Sequence, residues 1–288
     1  MRTPKQSPVV VGVNGTAASL TAVRLGAREA ISRGRKLRVV HAFTWPDPRF
    51  GKPSQGYAQA RREASRLVDR AVAAAQRSAP GVKATGQVTD GLPIRVLLQQ
   101  SRTADLLVLG DEDLAASSPT GLPVDSVLFQ AVSRAFCPIV VARGPRPASG
   151  PLLAGVDGSP ESLQALQLAA EEASRRAAPI VLAHVISKRG GEKAGRRVLD
   201  RAMAEVPGLQ DATTRLIVGE PGTALVRASR KARMVLVGPR GKDGTQLLGP
   251  VALQLLRRGA CPTLFVHGTT ATGHWSPGTV PSAGTRAS

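Results

Sequence analysis

The chain carries one domain pattern twice, and this constrains its fold more than any other feature. PVVVGVNGT at 8–16 returns as PLLAGVDGS at 151–159, a displacement of 143. LRVVHAF at 37–43 returns as APIVLAHVI at 178–186, with His41 and His184 in the same register. Further along, GLPIRVLLQ and GEPGTALVR align Gly91 with Gly219, and DLLVLG aligns Gly110 with Gly238, both at 128. CPIVVA and CPTLFV then set Cys137 opposite Cys261 at 124. Landmarks in one order with a shrinking offset describe a duplicated domain whose loops differ in length. The first copy's surplus falls after its second apolar run, where TWPDPRFGKPSQG reads as a Pro/Gly loop.

Within each copy, short aliphatic runs alternate with Ala, Leu and Arg at helical spacing. Strands are expected at 9–13, 37–43, 82–88, 105–109 and 138–142, and helices at 17–33, 58–78, 93–102 and 125–135. The second copy's strands are expected near 152–156, 179–185, 213–217, 234–237 and 263–266. Such alternation builds βαβ units. The fold class is therefore α/β: two tandem, open-twisted, five-stranded parallel sheets with helices on both faces, Rossmann-like. Domain 1 spans 1–143, GPRPASGP at 144–151 is a linker, domain 2 spans 152–267, and 268–288 is a polar tail with nothing to bury. Duplication implies an intramolecular pseudo-dimer, with the last strands of the two copies as the contact. Association into a homodimer stays open.

Composition narrows the function. The net charge is +19, overwhelmingly from arginine and divided almost evenly between the halves, so an anionic partner is implied but no basic arm. With 5 Phe, 1 Tyr and 2 Trp, base-stacking platforms are not a theme. Two cysteines without CxxC spacing argue against structural zinc or a disulfide framework and fit a reducing cytoplasm. The N-terminus breaks at glycine too early for a signal peptide, and no apolar stretch is long enough to span a membrane.

Ligands of open parallel sheets sit beyond the strands' carboxyl ends at the switch in strand order. The loops there in the second copy are GVDGSP and GPRGKDGTQLLGPV. The latter offers Gly238, Gly241, Gly244 and Gly249 ahead of a helix, which lets amides and a helix N-terminus approach phosphates. GVDGS on the first strand, this glycine loop, and Cys-Pro before a last aliphatic strand together resemble universal stress protein domains over residues 7 to 267. The resemblance implies an adenine-nucleotide site, of ATP type, and not a catalytic one. Nucleotide-binding members show a Gly-2x-Gly-9x-Gly-Ser/Thr loop for the phosphates and an Asp on the first strand for adenosine. Carried over, the pattern marks Asp157, Gly238, Gly241, Gly249 and Val251, and Val185 where the second strand touches adenine.

This chain departs from the pattern. The second copy's loop is two residues short, and Pro250 replaces the hydroxyl residue, removing an N–H and an O–H together. Arg240 and Lys242 could compensate in part. In the first copy Asn14 replaces the aspartate, and Asp111, Glu112, Asp113 and Asp125 stand where a phosphate cradle would be. Carboxylates repel a triphosphate by roughly 1 kcal/mol per close pair even in water, so this copy is not expected to bind ATP unaided.

Blander readings stand beside these. Asp157 also suits a turn or helix cap, Asp111 to Asp113 a solvated loop rather than a magnesium site, and Cys137 and Cys261 packed thiols. His41 and His184 are read as structural strand residues. Arg61, Arg62, Arg66 and Arg70, with Arg196, Arg197 and Arg201, form either a phosphate-tracking stripe or a solvated face. No GxSxG, HExxH, CxxC or complete GxxxxGK[ST] occurs, so no dedicated enzyme activity is expected. Three readings remain: a stress-response sensor or regulatory module binding an adenine nucleotide in its second domain; an interaction protein of the same fold, with an unidentified protein partner; and a binder of nucleic acid or another anionic polymer.

Overall fold

The computed structural model describes residues 7–45, 55–111, 126–144, 150–187, 191–240 and 247–267. The first lobe runs β1 (Val9–Gly12), α1 (Ala17–Ser32), β2 (Leu37–Phe43), α2 (Gln55–Ser78), β3 (Ala84–Asp90), α3 (Pro93–Ser101), β4 (Leu106–Gly110), α4 (Val127–Arg134) and β5 (Ile139–Ala142). The second lobe repeats the order with β6 (Leu152–Gly155), α5 (Pro160–Arg176), β7 (Ile180–Ile186), α6 (Glu192–Glu205), β8 (Thr213–Val218), α7 (Pro221–Ser229), β9 (Met234–Val237), α8 (Pro250–Arg258) and β10 (Thr263–Phe265). Strand positions match the aliphatic runs to within two residues. The tail at 268–288 and linker residues 145–149 lie outside the described residues.

Each lobe is a parallel sheet of order 3-2-1-4-5, and the two are joined into one ten-stranded sheet of order β3-β2-β1-β4-β5-β10-β9-β6-β7-β8. The joint is antiparallel, pairing Ile139 with Phe265, Val140 with Leu264 and Val141 with Thr263. Two like sheets related by a two-fold axis can meet edge to edge only in this sense. Each last strand thus covers the other's open edge. Alternate strand residues feed two cores that cross the seam. One lies under α1, α2, α5 and α6, and the other under α3, α4, α7 and α8.

Side chains from matched positions tie the lobes together reciprocally. Arg33, the C-cap of α1, bonds Glu172 on α5, and Arg176 on α5 bonds Glu29 on α1 at 2.6 and 2.8 Å. Glu29 and Glu172 are 1% and 0% exposed. Arg143, after β5, donates to the Leu256 carbonyl near the end of α8, while His267, after β10, reaches the Val132 carbonyl of α4 at 2.6 Å. Each lobe therefore caps its neighbour's last helix, where unsatisfied carbonyls collect.

Candidate functional site

Strand order reverses between β1 and β4 in the first lobe and between β6 and β9 in the second, and a cleft opens at the strand ends in both places. The second-lobe cleft encloses about 260 Å³. Asp157 follows β6, Val185 comes from β7, Gly238 and Arg240 follow β9, and Gly249, Pro250 and Val251 open α8. Six of the seven residues marked from sequence thus line one space. Gly241, with Lys242 and Gly244, lies outside the described residues. Pro221 and Leu225 of α7 complete an apolar wall that sequence reasoning missed. Nothing local marks them; they line the cleft only because α7 packs beside α8.

Asp157 has a structural task as well. Its Oδ1 accepts from the Ser159 amide at 2.9 Å and the Ser159 hydroxyl at 2.6 Å, and Ser159 in turn caps α5 by accepting from the Ser162 amide. In the first lobe Asn14 Oδ1 takes the Thr16 hydroxyl at 2.7 Å, so asparagine sustains the same turn without the charge. The histidines match too. His41 Nδ1 lies 2.8 Å from the Val13 carbonyl and His184 Nδ1 lies 2.7 Å from that of Val156. A carbonyl only accepts, so Nδ1 carries the proton and each ring anchors the loop after its lobe's first strand. The two rings sit in separate lobes and form no joint site.

The glycines separate into two kinds. A Cβ on Gly110 would fall 2.5 Å from the Ala18 carbonyl carbon, and one on the matched Gly238 would fall 3.2 Å from Glu161 Cβ. Close passage over the start of α1 therefore demands glycine at Gly110 whether or not a ligand binds, while the matching passage of Gly238 over α5 is tight but leaves more room. Gly249 is the N-cap of α8 and lends no side-chain bond; its amide is already committed to the Pro239 carbonyl at 2.8 Å. Pro250 occupies the first helical turn, where its ring suits the backbone. The helix geometry leaves the Val251 and Ala252 amides without intrahelical acceptors, pointing toward the N-terminal end. Arg240, exposed beside them, is the one arginine or lysine among the described residues that line this cleft.

The first-lobe cleft is smaller, about 170 Å³, and is lined by Asn14, Val40, His41, Leu97, Leu109 and Leu128 among others. Asp111 stands 3.6 Å from Arg143, whose charge offsets part of its own. Glu112, Asp113 and Asp125 lie outside the described residues. Among the described residues no group of acidic, His or Cys side chains is disposed to hold a metal ion, and no helix is long and apolar enough to cross a membrane. Both cysteines are buried. Burial pushes the Cys261 thiol up to about 11 and raises Cys137 further still, which suits packing rather than reactivity. Arg62, Arg66 and Arg70 are exposed along α2, while Arg61 turns to Asp90 and the Phe43 ring.

Two halves of one design, each with a cleft where its strand order reverses, define a tandem Rossmann-like α/β protein. Residues 7–143 and 149–267 each match the universal stress protein family, and the chain belongs to that family. Universal stress protein Rv2005c of Mycobacterium tuberculosis is 30% identical over 289 residues, covering 90% of this chain and 97% of that protein. Universal stress protein Rv2623 of the same organism is 29% identical over 266 residues, covering 82% and 87%. A universal stress protein from Archaeoglobus fulgidus superposes with a TM-score of 0.69 over 90% of this chain and 95% of its own, at 16% identity, and so shares the fold.

Proposed function

We propose that this universal stress protein works as a sensor or regulatory module that binds an adenine nucleotide in its second lobe, held chiefly by the nucleoside. The convergence of Asp157, Val185, Gly238, Gly249 and Val251 on one cleft at the strand switch supports this most directly. Its volume, about 260 Å³, lies just below the usual range for small-molecule sites and is of the size of a nucleoside. Asp157 would hold a ribose hydroxyl with the oxygen its turn does not use, and the Val251 and Ala252 amides with Arg240 would meet the first phosphate. The first lobe, with asparagine at position 14, would keep the frame and lack the carboxylate.

The rival reading, an interaction protein of the same fold whose sites no longer bind, draws support from Pro250 and the committed Gly249 amide. Calorimetry separates the two. Titration with AMP, ADP and ATP should give saturable binding at one site per chain. Asp157→Asn, which preserves the turn as Asn14 does, should weaken that binding at least tenfold without moving the unfolding midpoint. No saturable binding, together with no nucleotide released on denaturing freshly purified protein, would favour the non-binding reading.

A further inference from the structure

Another cavity, about 380 Å³, opens on the seam between the lobes, away from both clefts. Arg24 and Arg28 of α1, Arg143 after β5, Arg176 at the end of α5 and Arg233 at the start of β9 all line it. Glu29 is the one carboxylate among its described lining residues, and Arg33 and Arg176 already claim it. The side chains of Arg24, Arg28 and Arg233 make no hydrogen bond or ion pair among the described residues. Arg143 Nε is buried without a partner. Burial presses the Arg28 and Arg143 guanidiniums below the ordinary arginine range; Glu29 opposes this at Arg28 while Arg24 adds to it, and Asp111 and Cys261 oppose it at Arg143. Like charges crowded in a partly dry space are a cost that a bound anion would remove.

The pseudo-symmetry supplies a control within the molecule. Arg24, Arg28, Arg143 and Arg233 correspond to Gln167, Glu171, His267 and Asp105 across the two-fold axis. The backbone frame is the same at both corners: the Arg233 amide bonds the Pro151 carbonyl and the Asp105 amide bonds that of Pro8, each at 2.9 Å. The charges differ. At the matching corner Asp105 takes Arg33 at 2.9 Å and Arg35 at 3.5 Å, so that corner compensates itself. The fold therefore does not need four cations here, yet five arginines gather at this one corner of the seam.

We propose that this corner is a binding site for a small, multiply charged phosphate compound, of the size of a di- or triphosphate group, held between the lobes. Arginine suits it because a planar guanidinium can grip two phosphate oxygens at once, and several such forks reward a compact ligand with charge on more than one phosphorus. A polymer fits less well. Of the five arginines only Arg24 is exposed; Arg28 and Arg233 are half-buried and Arg143 and Arg176 have only 8% and 16% of their side chains exposed, whereas a nucleic-acid backbone is met on open surfaces. The ligand would touch both lobes, so its binding would also clamp the seam.

The test uses the full chain with inorganic pyrophosphate and tripolyphosphate as probes, titrated by calorimetry at constant ionic strength beside orthophosphate. One site per chain is expected, with tripolyphosphate and pyrophosphate bound at least tenfold more tightly than orthophosphate. Arg28→Glu and Arg233→Asp each install the residue that the opposite corner already carries, so the fold should tolerate them, and circular dichroism checks that it does. Each should weaken pyrophosphate at least tenfold, while Arg66→Glu on the outer face of α2 and Asp157→Asn in the second-lobe cleft leave it unchanged. Weak unsaturable binding, equal losses for Arg66→Glu, or undiminished binding in both seam variants would overturn the site. Displacement of the probe by single-stranded DNA with a salt slope lost in the seam variants would overturn the small-ligand assignment in favour of a polymer. Loss of nucleotide affinity in Asp157→Asn with intact pyrophosphate binding would show the two sites to be independent.

Discussion

Replacing Glu172 by glutamine tests how the lobes are held together. The carboxylate is fully buried and accepts from Arg33, from Arg175 at 3.0 Å and from Arg176 at 2.9 Å. Desolvation alone would raise its pKa, but Arg33, Arg176 and Arg175 together outweigh burial and hold it below the ordinary carboxylate range. Glutamine keeps the shape, loses the charge, and turns an NH2 toward donors. Breaking one partner of a buried ion pair costs about 3–5 kcal/mol. Arg33 keeps Asp105 and Arg176 keeps Glu29, which places the expected loss near the lower end, about 3 kcal/mol. That is a large share of a typical stability of about 5–15 kcal/mol. Glu29→Gln should cost a similar amount, since the network is reciprocal. The double variant should lose more than the sum, because Arg176 then has no carboxylate while each single variant leaves it one. Urea unfolding at neutral pH, run as a double-mutant cycle, measures all three. A loss below about 1 kcal/mol for Glu172→Gln, or strict additivity, would show that water reaches this cluster and refute the account.

Acid should weaken the protein in two stages. Burial pushes His267 down to about 4, against the opposing pull of the Val132 carbonyl and with help from Arg240, so the unfolded chain takes up this proton first. Stability from the neutral ring is complete above about pH 6.5 and is lost as pH falls toward 4, on the order of 3 kcal/mol in all; urea midpoints for wild type and His267→Gln should diverge in slope across that window, and parallel curves would count against it. Glu172, with its lowered pKa, contributes stability that is present above about pH 4.5 and goes only as pH falls through its folded value. Gly110→Ala should destabilise by about 1–3 kcal/mol or more, because the added methyl meets the α1 backbone and not a movable side chain; a change in thermal midpoint within error would refute the close approach. Pro250→Ser should raise the preference for ATP over AMP by about 1 kcal/mol through one recovered hydrogen bond; an unchanged ratio in calorimetry would mean that the shortened loop cannot bring phosphate there.

The repeat and its aliphatic periodicity determined much of this protein. Hydrophobic runs separated by helical stretches leave little choice but parallel βαβ units, and duplication makes an edge-to-edge pairing of β5 with β10 the economical way to hide two open edges. The loops that carry Asp157, Gly238 and Gly249 were legible because periodicity marks strand ends, while the resemblance to universal stress proteins singled out those residues and Val185 within the frame. Tertiary structure decided what depends on distance across the axis. Glu29, Arg33, Glu172 and Arg176 sit at helix positions that read as ordinary solvated charge, and only the approach of α1 and α5 at the seam buries them as partners. The same approach separates the corner where Arg24, Arg28 and Arg233 gather from the one where Asp105 answers Arg33. A linear reading sums charge along the chain, whereas Coulomb energy depends on separation and local dielectric, and both of those are set only once the two lobes have met.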